Sequence, residues 1–184
     1  MRDWKRLPDR IVYRQGRFQV VEDRWVRPDG TLLRTPLLKS PSFSVVVGVT
    51  GAREIPLVKN LHPAPGLRLL ELPGGRIELD ETPRAAARRE LSEETGWNAR
   101  KLTRIGRYYP NPHWGTFQGH VFLAEGLRPG RTHPDPGEWL RPVLVPVREA
   151  YRALGQGRFF GGSTLVGLHL AEAPLRARGL LDPR

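Results

Sequence analysis

Glu90, Glu93 and Glu94 stand three and four residues apart in the stretch RRELSEETG. On a helix this spacing gathers the three carboxylates within an arc of roughly 100°. Like charges so placed repel one another, and two fates are open to them. One is a solvated acidic stripe, the commoner outcome for such a triplet on a surface helix; the other is a seat for a divalent cation. Two neighbours favour the cation: Arg89 adjoins the cluster and can hold a carboxylate in place, and Gly74-Gly75 offers a backbone carbonyl beside the helix. The chain has no cysteine, which excludes disulfide frameworks, thiol redox centres and Cys-ligated zinc. Hard oxygen donors without a dense histidine cluster suit Mg²⁺ or Mn²⁺. Such ions commonly serve phosphates, bridging non-reacting oxygens and offsetting the charge that builds during displacement at phosphorus.

The elements that must position these groups are marked by local signals. Thr82 is a hydroxyl N-cap followed by Pro83, whose missing N–H costs nothing at the first helical position. The helix is expected to run to Thr95 and to end at Gly96 in a left-handed conformation. Just before it, Pro73-Gly74-Gly75 permits close backbone approach or positive φ. Upstream, Arg17–Arg27 and Thr31–Lys39 read as a hairpin across Pro28-Asp29-Gly30. Ser42–Thr50 is a β-branched run expected to be buried on both faces, with Ile55–Lys59 a short neighbouring strand and Arg68–Leu72 another beyond the Pro63–Gly66 turn. Downstream, Leu102–Tyr109, His120–Ala124 and Trp139–Val145 read as strands. A helix over Arg148–Leu154 is expected to stop at Gly155, and one over Ser163–Ala171 to be capped by Ser163. No internal repeat or separating linker is evident.

At 184 residues one core is the default, since about 100 to 200 residues build one domain. Its 39% hydrophobic and 27% charged residues are globular proportions. The longest apolar run, around Ser44–Val49, is far short of the roughly 20 residues a bilayer requires. The opening MRDWKRLPDR lacks a following apolar segment, so no secretory signal is expected and a cytoplasmic location is. The net charge of +11 is carried mostly by Arg spread along the chain, with Arg100, Lys101, Arg104 and Arg107 the nearest approach to a cluster. It reads as a solvated surface, or one serving a small phosphorylated ligand, rather than a polynucleotide track.

Gly75, Glu81, Arg89, Glu90, Glu93, Glu94 and Gly96 occupy fixed positions in GRIELDETPRAAARRELSEETGW. The pattern resembles the Nudix box, with Trp97 in place of the usual final aliphatic residue. The resemblance implies an α/β fold, a Nudix α/β/α sandwich around a mixed sheet. It also implies an N-terminal antiparallel β subdomain over residues 1–40 and a catalytic domain over 41–184. It further implies hydrolysis, dependent on Mg²⁺ with Mn²⁺ a substitute, of a nucleoside diphosphate linked to another moiety. By position, Glu90, Glu93 and Glu94 would bind the metal with the Gly74 carbonyl. Arg89 would orient a catalytic carboxylate, and Glu81, Gly75 and Gly96 would shape the loop and helix.

Outside the box, LVKNLHPAPGLRLLELPGG and YYPNPHWGTFQGHVFLAEGL resemble the ADP-ribose pyrophosphatase branch of that family. Pro112, sixteen residues after Gly96, matches its characteristic proline. In that branch the N-terminal strands join two subunits, and one subunit's hairpin helps hold the adenine of its partner's site. Phe18 stands where relatives place the stacking ring, and Glu138 where the branch carries a carboxylate that closes over substrate and activates water; Glu93 or another member of the carboxylate cluster is the alternative base. Asn60, Leu61 and His62 depart from the usual Gln, aromatic and Arg, so His62 either takes up a phosphate contact or is merely hydrogen-bonded. The usual acid after Pro112 is not evident, and Gln118 lies nearby. The implied reaction cuts ADP-ribose into AMP and ribose 5-phosphate, with FAD or a nucleotide sugar as neighbouring substrates. A rival class, an RNA-binding or RNA-end-processing protein, is suggested by the charge and by Tyr108, Tyr109 and Trp114.

Overall fold

The computed structural model describes residues 3–133, 139–159 and 161–181. These form two compact units, one made of the described residues through Ser42 together with Tyr109–Gln118, the other of the remainder. In the first, β1 (Lys5–Gln15), β2 (Phe18–Val26) and β3 (Leu32–Lys39) form an antiparallel sheet in that order. The β2–β3 hairpin is the expected one, with Gly30 at φ 83° in its turn. β1 lies in the expected N-terminal β region but is not delimited as a strand by its sequence, because its residues are mostly exposed, with charges interspersed, and Pro8 argues against a regular strand. It is accommodated as an edge strand whose register slips between Leu7 and Arg10, around that proline. Arg24 donates to the freed Pro8 carbonyl at 3.1 and 2.8 Å, and Arg6 pairs with Asp23 at 2.9 Å. The 109–118 segment joins this sheet through the Leu38 N–H, which donates to the Trp114 carbonyl at 2.6 Å.

The second unit contains β4 (Phe43–Gly48), β5 (Glu54–His62), β6 (Leu67–Glu71), β7 (Gly74–Arg76), α1 (Pro83–Thr95), β8 (Trp97–Tyr108), β9 (Gly119–Pro129), β10 (Leu140–Pro146), α2 (Val147–Gly155) and α3 (Gly162–Ala177). Its strands form a mixed sheet ordered β7-β4-β9-β8, in which β4 and β9 are parallel, and an antiparallel sheet ordered β10-β5-β6. The pleat of β4 explains the layering. Val46 turns to the α1 side, where it joins Ala87, Leu91 and Phe122, while Val45 and Val47 turn the other way to Leu168, Ala171 and Leu175 of α3. With helices on both faces the strand reads as a continuous apolar run, and the α/β/α arrangement follows. Leu91 is fully buried, so truncating it to Ala would cost about 2–5 kcal/mol.

Several local expectations need correction. β5 is longer than a short neighbour of β4 and pairs instead with β10 and β6. α2 runs through Gly155 to a C-cap at Gln156, with Gly157 taking the positive φ of 66°. α3 starts from Gly161 without a side-chain cap, so Ser163 lies inside its first turn. It also continues past Ala171 and through Pro174, a continuation held by burial of Leu175 against the core rather than by propensity. Among the described residues no helix is long and apolar enough to cross a membrane.

Candidate functional site

The site is organised by α1. Thr82 (φ −82°, ψ 154°) accepts the Ala85 N–H at its hydroxyl, 3.2 Å away, Pro83 follows, and Gly96 closes the helix at φ 73° with its N–H on the Ser92 carbonyl at 2.8 Å. The Ser44 hydroxyl donates to the Pro83 carbonyl at 2.7 Å and ties the first turn to β4. With both ends set and Ala86, Ala87 and Leu91 turned inward, Glu90 and Glu94 are buried along the flank beside β7.

The two glycines of β7 make that flank possible through close approach, and neither has positive φ. A Cβ on Gly75 would stand 2.2 Å from Glu90 Oε1, and one on Gly74 would stand 2.3 Å from the Ser44 carbonyl oxygen. The Gly74 N–H donates to Glu94 Oε2 at 2.8 Å. This bond uses the Gly74 N–H, a group separate from the carbonyl that the resemblance assigns to the metal.

Arg89 binds the cluster together. Its Nε donates to Glu81 Oε1 (3.1 Å), one terminal nitrogen to Glu90 Oε1 (2.8 Å) and Glu93 Oε2 (3.0 Å), and the other to the Arg76 carbonyl (2.9 Å) and Glu81 Oε2 (3.1 Å). A guanidinium has five N–H groups in a fixed fork, and these five contacts use them all. The hydrogen bonds to Glu81 lead in holding the Arg89 pKa well above its ordinary value; burial opposes them, and the charge of Glu90 adds to them. For Glu81 burial favours the neutral acid, but the bonds from Arg89 and from the Glu78 N–H (3.0 Å) outweigh it and leave its pKa below the ordinary carboxylate value. Asp80 turns the loop at φ 62°, a left-handed conformation that Asp tolerates, and so directs Glu81 back toward the helix.

The Glu93 side chain is 34% exposed against 10% for Glu90, which makes Glu93 the member of the pair that solvent and a ligand reach. Three carboxylates at one helix flank, with no thiol, are donors of the kind a hard divalent cation takes. Among the described residues no three Asp, Glu or His side chains already converge on one point at metal-holding distance, so the fit rests on donor chemistry and on the cradle cleared by Gly75.

The other residues singled out from the sequence are dispersed. His62 ends β5 and meets Glu71 of β6, Nε2 to Oε2 at 2.5 Å. Glu71 carried no sequence signal, and its other oxygen lies 2.6 Å from where a Cβ on Gly161 would be. Phe18 is half-buried at the start of β2, across the Gly16 turn from Gln15, and Pro112 is exposed in the turn from Asn111 to Trp114; both belong to the N-terminal unit. Glu138 lies outside the described residues. The Arg76 carbonyl and Ser44 also escaped the sequence reading, since a backbone acceptor and a lone serine leave no pattern.

Comparison with known proteins identifies the family. Residues 39–161 match the model of the NUDIX domain. The chain is 31% identical over 147 residues to the ADP-ribose pyrophosphatase of Bacillus subtilis (strain 168), covering 79% of this chain and 80% of that one. It is 25% identical over 186 aligned positions to the ADP-ribose pyrophosphatase of Mycobacterium tuberculosis (strain ATCC 25618 / H37Rv), covering 99% and 88%. Its fold matches the crystal structure of an ADP compounds hydrolase with a TM-score of 0.84 over 97% of each chain, at 21% identity.

Proposed function

The chain belongs to the NUDIX domain family, and on that premise we propose that it is a Mg²⁺-dependent pyrophosphatase that hydrolyses ADP-ribose to AMP and ribose 5-phosphate. The observation that carries the reading is the carboxylate flank of α1, where Arg89 donates to Glu90 and Glu93 while its other N–H groups are anchored on Glu81 and the Arg76 carbonyl. The substrate is drawn from the two pyrophosphatases to which the chain is similar.

Glu90, Glu93 and Glu94 are the residues that would hold the metal, and Mn²⁺ would substitute. Bound there, the ion supplies Lewis-acid polarisation of the pyrophosphate oxygens. Arg89 keeps Glu90 and Glu93 from moving apart under their own repulsion, and Gly75 leaves the space that the Glu90 carboxylate fills. Glu138 is proposed as the base that takes the proton of the attacking water, on its position in the family pattern. Phe18 would stack on adenine, His62 would contact a phosphate at the cost of its bond to Glu71, and Pro112 would shape the substrate loop. A homodimer through the N-terminal strands is supported by β1, an edge strand that leaves Ile11, Val12 and Tyr13 47%, 61% and 51% exposed. A cytoplasmic location is proposed with it, on the sequence alone.

The test is hydrolysis by the full chain of ADP-ribose, FAD and a nucleotide sugar, with Mg²⁺ and with EDTA. The highest kcat/KM should fall on ADP-ribose, with AMP and ribose 5-phosphate as products and no turnover in EDTA. Absence of cleavage, or a tenfold preference for another compound, overturns the assignment. Glu138→Gln should lower kcat by at least about 100-fold, the lower range of general-base contributions; a change within about threefold would move that role to Glu93 or another member of the cluster.

A further inference from the structure

Lys59, Arg68 and Arg141 meet Trp139 and Leu140 around a surface cavity of about 420 Å³. Strand register explains the meeting. Lys59 lies directly across from Arg141, Leu61 lies across from Arg68, and the Leu61 N–H reaches the Trp139 carbonyl at 3.3 Å. Opposed residues of an antiparallel pair share a face, as do alternate residues of one strand, so these three cations and Trp139 fall on one face of the β10-β5-β6 sheet. Glu71 is opposite Val58 and His62 is four residues on from Val58, so their pair belongs to the other face.

Three features of this patch point to a ligand. Like charges directly opposed across strands are destabilising, and among the described residues no acidic side chain lines the cavity to offset them. Among the described residues, none of the three cations has an ion pair or a side-chain hydrogen bond. Beside them Trp139 leaves 71% of its surface exposed, presenting a ring on which a planar aromatic group can stack. An anion neutralises the first two features and an aromatic ring uses the third. A nucleotide carries both.

We propose that this cavity is a second nucleotide site, which takes a free mononucleotide with its phosphates drawn to Lys59, Arg68 and Arg141 and its base to Trp139. Its described lining offers cations and a ring and no carboxylate, so binding is expected without a metal ion. The inference does not depend on which substrate the α1 carboxylates serve.

The test is calorimetric titration of the full chain in EDTA with ADP, adenosine, inorganic pyrophosphate and a short single-stranded RNA. ADP should bind saturably, with adenosine and pyrophosphate each at least tenfold weaker, because each lacks one half of the recognised chemistry. Lys59→Gln combined with Arg141→Gln should weaken ADP at least tenfold, as should Trp139→Ala, and added salt should weaken it in the parent. The double variant should keep the parent's kcat and KM for ADP-ribose, and Arg68→Gln, a single exposed change, guards against misfolding of that variant. The proposal is overturned if ADP does not bind, if ADP affinity is the same in these variants, if KM rises in step with the lost affinity, or if RNA binds tenfold more tightly than ADP. Should the parent cleave none of the panel, the hydrolase reading fails and the binding result still decides this one.

Discussion

The second unit organises charge in two opposite ways. Around Arg89, three carboxylates and a backbone carbonyl surround one guanidinium, with all five contacts between 2.8 and 3.1 Å. Across β5 and β10, cations stand opposite each other with no carboxylate among the described residues that line the cavity. The difference is one of solvent. Glu90 and Glu94 are buried, so each must find partners within the protein, and the network becomes over-determined. Lys59, Arg68 and Arg141 are exposed, water screens them, and the sheet tolerates a repulsion that the helix flank could not. A net charge of +11 is therefore not a uniform coat; its unpartnered share can collect where strand register brings it together.

The comparison breaks first at Arg89. Arg89→Met should destabilise by about 3 kcal/mol, because it leaves buried carboxylates without their counter-charge, and should also abolish hydrolysis; denaturant unfolding and kcat would show both. Equal stability would mean that the cluster is solvated after all. Gly75→Ala is next: its methyl would overlap the Glu90 carboxylate, for about 1–3 kcal/mol of overpacking, and kcat should fall as Glu90 is pushed off position. Gly74→Ala would instead meet the Ser44 backbone, which is less able to yield.

Acid should find the Arg89 network by a sign that can be worked out. Glu81 has a folded pKa below its ordinary 4.5, so it contributes stability above that value and loses it as pH falls through the folded value. The Tm difference between parent and Glu81→Gln should be full near neutrality and shrink below about pH 4. A constant difference would assign the role of Glu81 to packing. The smallest effect is expected on the sheet, where Lys59→Glu turns an opposed like-charge pair into an ion pair and should stabilise by about 0.2–1 kcal/mol. Removal of a native charge would thus weaken the helix flank, while its reversal would strengthen the sheet.

The same two regions differ in how far their sequences could be read. Thr82, Pro83 and Gly96 delimit α1 to the residue, because a cap is a hydrogen bond between near neighbours, and the three- and four-residue carboxylate spacing becomes geometry as soon as the helix is granted. Arg89 was legible as a partner of one carboxylate but not as the hub of three. Its bonds to Glu81 and to the Arg76 carbonyl depend on the path of the loop between β7 and α1, which turns on the left-handed Asp80. β1 falls within the β region expected over residues 1–40 but could not be delimited, because Pro8 and its charges deny it a strand pattern and its pairing comes from the partner strand β2.

By itself the sequence determined the capped helix, its carboxylate flank, the glycines beside it and the donor chemistry available to a cation, since each rests on interactions within about one helical turn or on side-chain type. Only the tertiary structure decided that Gly75 faces Glu90, that His62 meets Glu71, and that Lys59 opposes Arg141. Those pairings follow from strand register and helix docking, which are set by burial of apolar surface over the whole core rather than by any signal carried beside the residues themselves.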